Sequence, residues 1–282
     1  MSKLVNELDH VLCKVHDADE AAGAFEKLGF VSTPLSPMKG LGIGNRLIIF
    51  PQRKEGCLNF IELLAVTHAP DVRPNMAALL EGREGPKSLI LSGADAGSAR
   101  DRFKAMGFEF DAPNVVERDW HMPNGDIEKP AFSILPPLAQ QFSFAYLEYL
   151  NLAPYARPEW LGHTNGITGL TGVIGVSEDP KAAIEPLARI FNCPAIRGED
   201  GLYSTSPGEI QLKIGTADDV SERFGETILP GERYVGLELG SEKISTTEQI
   251  FNEAQAEIAS VRTGFAVRST SAVGIALAIE QS

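Results

Sequence analysis

The sequence predicts an α+β fold built from four copies of one βαβββ unit, paired into two open barrels. Three observations carry this. The segment LDHVLCKVHDADEAAGAFEKLGF (8–30) reads as strand, acidic turn, amphipathic helix and a Gly-Phe opening a second strand. The same pattern returns without gaps at KSLILSGADAGSARDRFKAMGF (87–108), and weaker copies occupy 171–192 and 234–257. Each copy is followed by short runs rich in β-branched and aromatic residues, separated by Gly or Pro.

In the first unit Asp17 and Asp19 are N-cap candidates. Ala21, Ala22, Phe25 and Leu28 form a helical apolar stripe, and Gly29 suits the C-terminal end. A constant spacing of 78 residues carries Gly29-Phe30 onto Gly107-Phe108, Asp17 onto Asp95 and Phe25 onto Phe103. Strands are expected in FVSTPLS, NRLIIF and LNFIELLAV after the first helix, and in FEFDAP, KPAFSILP and FSFAYLEYL after the second. GLYSTS and EIQLKIG follow the third, which shows no clear final strand. FAVRST and AVGIALAIE follow the fourth.

One such unit cannot cover both faces of its sheet, whereas two side by side can curl into an incomplete barrel with helices outside. The expected organisation is an N-terminal domain at 1–152, a linker at 153–167 and a C-terminal domain at 168–282.

The net charge of −13 disfavours nucleic acid and anionic membrane surfaces as partners. No apolar run is long enough for a membrane helix and the N-terminus lacks a signal peptide's apolar centre, so a cytoplasmic location is expected. Cys13, Cys57 and Cys193 are scattered, which argues against a disulfide framework or a thiolate zinc cage. GLGIGN (40–45) precedes a strand rather than a helix, so it is no pyrophosphate-binding turn.

LDHV, the helix ending in LGF, GLGIGNRLIIF (40–50), NFIELLAV (59–66) and HTNGITGL (163–170) together resemble the vicinal oxygen chelate superfamily, in particular its glyoxalase-like subgroup. The resemblance implies paired barrels of the glyoxalase and dihydroxybiphenyl-dioxygenase type. It also implies metal ligands from the first and last strands of each module. On this chain those positions give His10, Glu62 and Glu148, with Ser88 breaking the pattern at the fourth. His121 or His163 could stand in. In the second barrel Thr171 takes the place of His10, and Gln211 and Lys213 stand where a carboxylate would be. That barrel is expected to be structural, or a dimer surface.

The resemblance thus implies a divalent metal ion (Zn, Ni, Mn or Fe) and a glyoxalase-type lyase or isomerase. Such an enzyme would act on a small oxygen-rich molecule, with Glu148 or Glu62 moving the proton. Asn45, Arg46, Trp120, His121, Tyr146 and His163 are the substrate-binding candidates, Arg46 for a carboxylate. Two alternatives stand beside it. One is a metal-free protein that binds or sequesters a small molecule in an aromatic cleft. The other is an Fe(II) extradiol-type dioxygenase. A homodimer is compatible with any of them.

Overall fold

The computed structural model describes residues 3–52 and 54–282. The first half runs β1 (Glu7–Lys14), α1 (Ala18–Lys27), β2 (Ser36–Met38), β3 (Ile43–Ile49), β4 (Phe60–Val66), α2 (Pro74–Leu79), β5 (Gly85–Ser92), α3 (Ala96–Ala105), β6 (Asn114–Glu117), β7 (Trp120–His121), β8 (Ile127–Glu128), β9 (Ala131–Leu135) and β10 (Phe144–Asn151). The second half runs β11 (Ile167–Val176), α4 (Pro180–Phe191), β12 (Ile196–Arg197), β13 (Tyr203–Thr205), β14 (Gln211–Gly215), α5 (Ala217–Phe224), β15 (Arg233–Ser241), α6 (Ile244–Glu253), β16 (Ile258–Val261), β17 (Gly264–Val267) and β18 (Ala276–Gln281).

The repeat is written into the strand order. The first sheet is ordered β2-β3-β4-β1-β5-β10-β9-β6, and the second β12-β13-β14-β11-β15-β18-β17-β16, the same permutation. In each, two βαβββ units meet along their first strands, antiparallel in β1–β5 and in β11–β15. The third unit is complete. Its weak member is the two-residue β12 rather than the final strand, which EIQLKIG supplies as β14. FEFDAP is irregular, and the strand expected there begins at Asn114.

The helices obey the same repeat. Asp17 caps α1 by accepting from the Asp19 and Glu20 amides, and Asp95 caps α3 from Ser98. Such a cap contributes about 1 kcal/mol. Phe25 and Phe103, at matching positions, are both fully buried. The helix-bearing faces of the two sheets share one core, in which Val11 and Leu89 belong with Val173 and Leu237. The halves are also joined by polar contacts. The Asn59 side chain donates to Leu170 O and accepts from Leu170 N, both at 2.9 Å. The connection is packed as well, since Tyr155 and Trp160 are buried against Trp120 and Phe60.

The two concave faces differ. Helices α2 and α5 hold the same place in their halves, between the last strand of one unit and the first strand of the next. Helix α5 has Val220 and Phe224 fully buried against Ile174, Val235, Ala276 and Ala278 of the concave face. Gly236 makes room for it, because a Cβ there would lie 2.4 Å from Phe224 Cζ. Beside Phe224 the second sheet keeps a cavity of about 650 Å³ with Lys213, Arg223 and Glu280 in its lining. Arg223 pairs with Glu238 and Glu280, and Lys213 Nζ sits 2.7 Å from Glu238. Helix α2 has no fully buried residue and stays at the rim, which leaves the first barrel open. The strand register also moves one assignment: Leu12 lies beside Glu62 and Ile174 beside Lys213, so His10 corresponds to Gly172 and not to Thr171.

Candidate active site

The open concave face of the first sheet holds a cavity of about 400 Å³, within the range of small-molecule sites. Strand alternation decides what enters it. Phe60, Glu62 and Leu64 of β4 line the cavity, while Ile61, Leu63 and Ala65 face the shared core. On β3, Ile43, Asn45 and Leu47 face in. His10 and Leu12 come from β1, Ile90 from β5, and Leu147 and Tyr149 from β10.

His10 and Glu62 are 5% and 6% exposed, and His10 Nε2 lies 3.8 Å from Glu62 Oε2. The imidazole is fixed from two sides. Phe60 stacks on it with centroids 3.8 Å apart and planes 17° apart. Its Nδ1 lies 2.7 Å from Asp9 Oδ1. An acceptor there places the Nδ1 proton on the Asp9 side and leaves Nε2 to face the cavity.

Asp9 is the residue that sequence reasoning missed. By simple alternation it would face away from His10's partners. A bulge between Leu8 and His10, which pair with the consecutive residues Leu91 and Ile90, leaves Asp9 as an extra residue and turns its carboxylate toward the site. Asp9 is fully buried, and it also accepts from Tyr149 Oη and from Leu58 N, each at 2.7 Å. Burial, with Asp9 adding to it, pushes the Tyr149 phenol well above its ordinary range, so Tyr149 stays a donor. The signal available in the sequence was an acid directly before the histidine of LDHV.

Glu62 is held from its other oxygen. Asn45 Nδ2 donates to Glu62 Oε1 at 2.5 Å, while Asn45 Oδ1 accepts from Arg118 at 3.2 Å. Arg118 also reaches Tyr155 Oη at 3.5 Å and lies over the Trp120 ring, 5.5 Å from its centroid. Arg118 and Tyr155 were not singled out from the sequence, and Tyr149 was read there only as a candidate lining residue of an aromatic cleft. Nothing in RDWHMPNG or NLAPYARPEW distinguishes the first two until the register is known.

The other sequence candidates stand elsewhere. Glu148 shares its face of β10 with Phe144 and Tyr146, on the helix side, where its Oε2 accepts from Ala96 N at the start of α3. Tyr146 is buried in that core, packed on Phe103 at 5.6 Å, and donates to Ala94 O. Arg46 projects from the outer side of β3 and pairs with Asp19 at 2.6 Å, also donating to Thr33 O. It is therefore no carboxylate anchor for this cavity. Trp120 is wholly buried beneath Arg118, with Nε1 toward Pro34 O. His121 is exposed on the β7–β8 ribbon. His163 is a structural residue between the halves. It accepts from Val31 N and donates to Ile49 O, both at 3.0 Å, with its ring edge-on to Phe30 and Phe50. Burial pushes its pKa down to about 4. Cys13 and Cys57 are buried, and burial raises both thiols, so neither is an activated nucleophile.

The four ligand positions implied by the resemblance can now be read from the register. Leu12 corresponds to Ile90 by the 78-residue spacing, Leu12 lies beside Glu62, and Ile90 lies beside Ala145. The positions are His10, Glu62, Ser88 and Ala145. Two of the four carry donors, and no cluster of three metal-ligating side chains occurs among the described residues. Three protein ligands are usual for a catalytic zinc or Fe(II) ion, so this donor set does not fit either.

The sequence profile of the glyoxalase-like domain matches residues 8–191. A search of curated proteins returned no match. Among solved structures, a hypothetical protein from Staphylococcus aureus aligns with a TM-score of 0.68 at 12% identity, covering 97% of this chain and 98% of that one. A substituted form of 4-hydroxymandelate synthase from Streptomyces coelicolor aligns with a TM-score of 0.55 at 14% identity, covering 92% of this chain and 77% of that one. At these identities the likeness is one of fold.

Proposed function

Since this chain belongs to the glyoxalase-like domain family, we propose that its first barrel is an enzyme site that moves a proton on a small molecule. The substrate carries a carbonyl with a C–H beside it. Glu62 takes the proton from that carbon. His10, in its doubly protonated form, hydrogen-bonds Asp9 through Nδ1 and presents Nε2–H to the carbonyl oxygen where negative charge develops. Return of the proton to the same or a neighbouring carbon completes an epimerisation or isomerisation without any change of oxidation state.

The observation that carries this reading is the fixed pair of Asp9–His10 at 2.7 Å and His10–Glu62 at 3.8 Å, opening on one cavity. An imidazole oriented by a buried carboxylate and faced by a second acid is the arrangement general acid–base chemistry needs. The walls supply the dry surroundings, with Leu12, Leu47, Leu64 and Ile90 around the pair.

The test is exchange of substrate C–H for deuterium in D2O, followed by NMR over a panel of small 2-oxo and 2-hydroxy compounds. Wild type is expected to catalyse exchange on at least one member, and His10→Gln and Glu62→Gln to lower it by about 10²–10⁴-fold. Binding without exchange on every member would replace this reading with that of a sequestering protein.

A further inference from the structure

We propose that the molecule taken by this cavity is a small organic carboxylate, seated by its anionic end on Arg118. The inference rests on reading the first barrel as the working site and names the class of substrate it admits. Arg118 lines the cavity, and its recorded partners are neutral: the Asn45 carbonyl oxygen at 3.2 Å and the Tyr155 hydroxyl at 3.5 Å. Its Nε is buried and has no partner. A guanidinium has five N–H donors in a rigid fork, so most of the fork is uncommitted.

Other arginines of this chain, whose net charge is −13, are paired with acids or bound to backbone carbonyls. Arg46 pairs with Asp19, Arg157 with Glu128 and Glu159, and Arg223 with Glu238 and Glu280. Arg118 forms no ion pair among the described residues. A cation drawn partly out of water and left without an anion is destabilising, and a bound carboxylate removes that cost through two parallel N–H···O bonds. Trp120, buried beneath the guanidinium plane, keeps the fork aimed into the cavity.

The placement suits the chemistry. Asn45 bridges Glu62 and Arg118, so the anion seat and the proton-transfer pair stand side by side. In this reading a 2-oxo acid puts its carboxylate on Arg118 and turns its carbonyl toward His10. Lys39 and Arg73 against Glu117 leave the exposed rim with one net positive charge.

The experiment titrates the purified chain with 2-oxo acids from pyruvate to phenylpyruvate and with their primary amides, following fluorescence of the two tryptophans and thermal stability. At least one acid is expected to bind tenfold or more tightly than its amide, with a fluorescence change. Arg118→Met should abolish that preference, and Arg118→Lys should retain part of it. Thermal melts confirm that each variant is folded. Equal binding of acid and amide, acid binding unchanged in Arg118→Met, or no binding by any acid would each overturn the proposal, as would inorganic phosphate displacing the acid at equal concentration. His10→Gln separates the two readings. If it loses exchange and keeps acid binding, both stand. If acids bind through Arg118 and wild type never exchanges, the anchor stands and the proton-transfer reading falls.

Discussion

Asp9 and His10 are neighbours in the chain that hydrogen-bond side chain to side chain at 2.7 Å, and they can do so because β1 bulges between Leu8 and His10. Asp9→Asn should therefore disturb the site more than its small change in volume suggests. An amide can turn its N–H2 toward Nδ1, and the ring then loses the acceptor of its Nδ1 proton. The expected result is a fall of about 10²–10⁴-fold in deuterium exchange. It should come with a stability loss of about 1–3 kcal/mol from the disturbed Leu58 and Tyr149 bonds. Ring 15N shifts of His10 would report its protonation directly, and unchanged protonation with unchanged exchange would remove Asp9 from the mechanism.

Glu148→Gln should leave exchange unaltered. Its carboxylate lies on the helix side of β10 and accepts from Ala96 N at the first turn of α3. The charge stabilises that helix terminus, so the expected effect is a loss of about 0.5–1 kcal/mol in chemical denaturation. A large loss of activity with no loss of stability would show that Glu148 reaches the cavity.

Treatment with EDTA followed by gel filtration is expected to leave exchange at its original rate, because His10 and Glu62 have no third metal-ligating side chain beside them among the described residues. If activity were lost and restored by Zn, Ni, Mn or Fe, substrate oxygens would have to complete a coordination shell that two side chains begin. His10→Ala would then also lose the ion in elemental analysis.

The fold was legible in the sequence because its signals repeat. Asp17 and Asp95, Phe25 and Phe103, and Gly29 and Gly107 recur at one spacing, and all hold equivalent places. Glu62 was also within reach, as the one acid in the otherwise apolar strand FIELLAV. On β10 the pattern FAYLEYL is apolar on both faces, so it does not say which face is the barrel interior. Tyr146 and Glu148 went to the helix side and Tyr149 to the cavity. Helices α2 and α5 carry no repeat signature, and with them the reason one concave face carries a packed helix and the other does not was invisible. Arg118 takes its meaning from the neutral partners around it, which a linear reading does not supply.

That contrast between the barrels can be measured. Phe224→Ala removes a fully buried ring from the concave face of the second sheet and should cost about 3–5 kcal/mol. Met76→Ala on the matching helix α2 touches a half-buried side chain at the rim of an open cavity, where a cost below about 1.5 kcal/mol is expected. Urea denaturation of both variants would decide. Equal losses would mean that α2 is packed as tightly as α5.

His163 predicts how stability responds to acid. Its folded pKa is held near 4 by burial, below an ordinary 6.5 in the unfolded chain. Between those values the unfolded state binds the proton and the folded state does not, so stability rises with pH through this window. It falls as pH drops from about 6.5 toward 4, by up to about 3 kcal/mol from this one residue. His163→Asn places an uncharged amide between Val31 N and Ile49 O. It should lower stability at pH 7 and flatten the slope between pH 6.5 and pH 4. Urea midpoints measured across that range for both proteins give the comparison. A slope that survives the substitution would assign the acid sensitivity to another group.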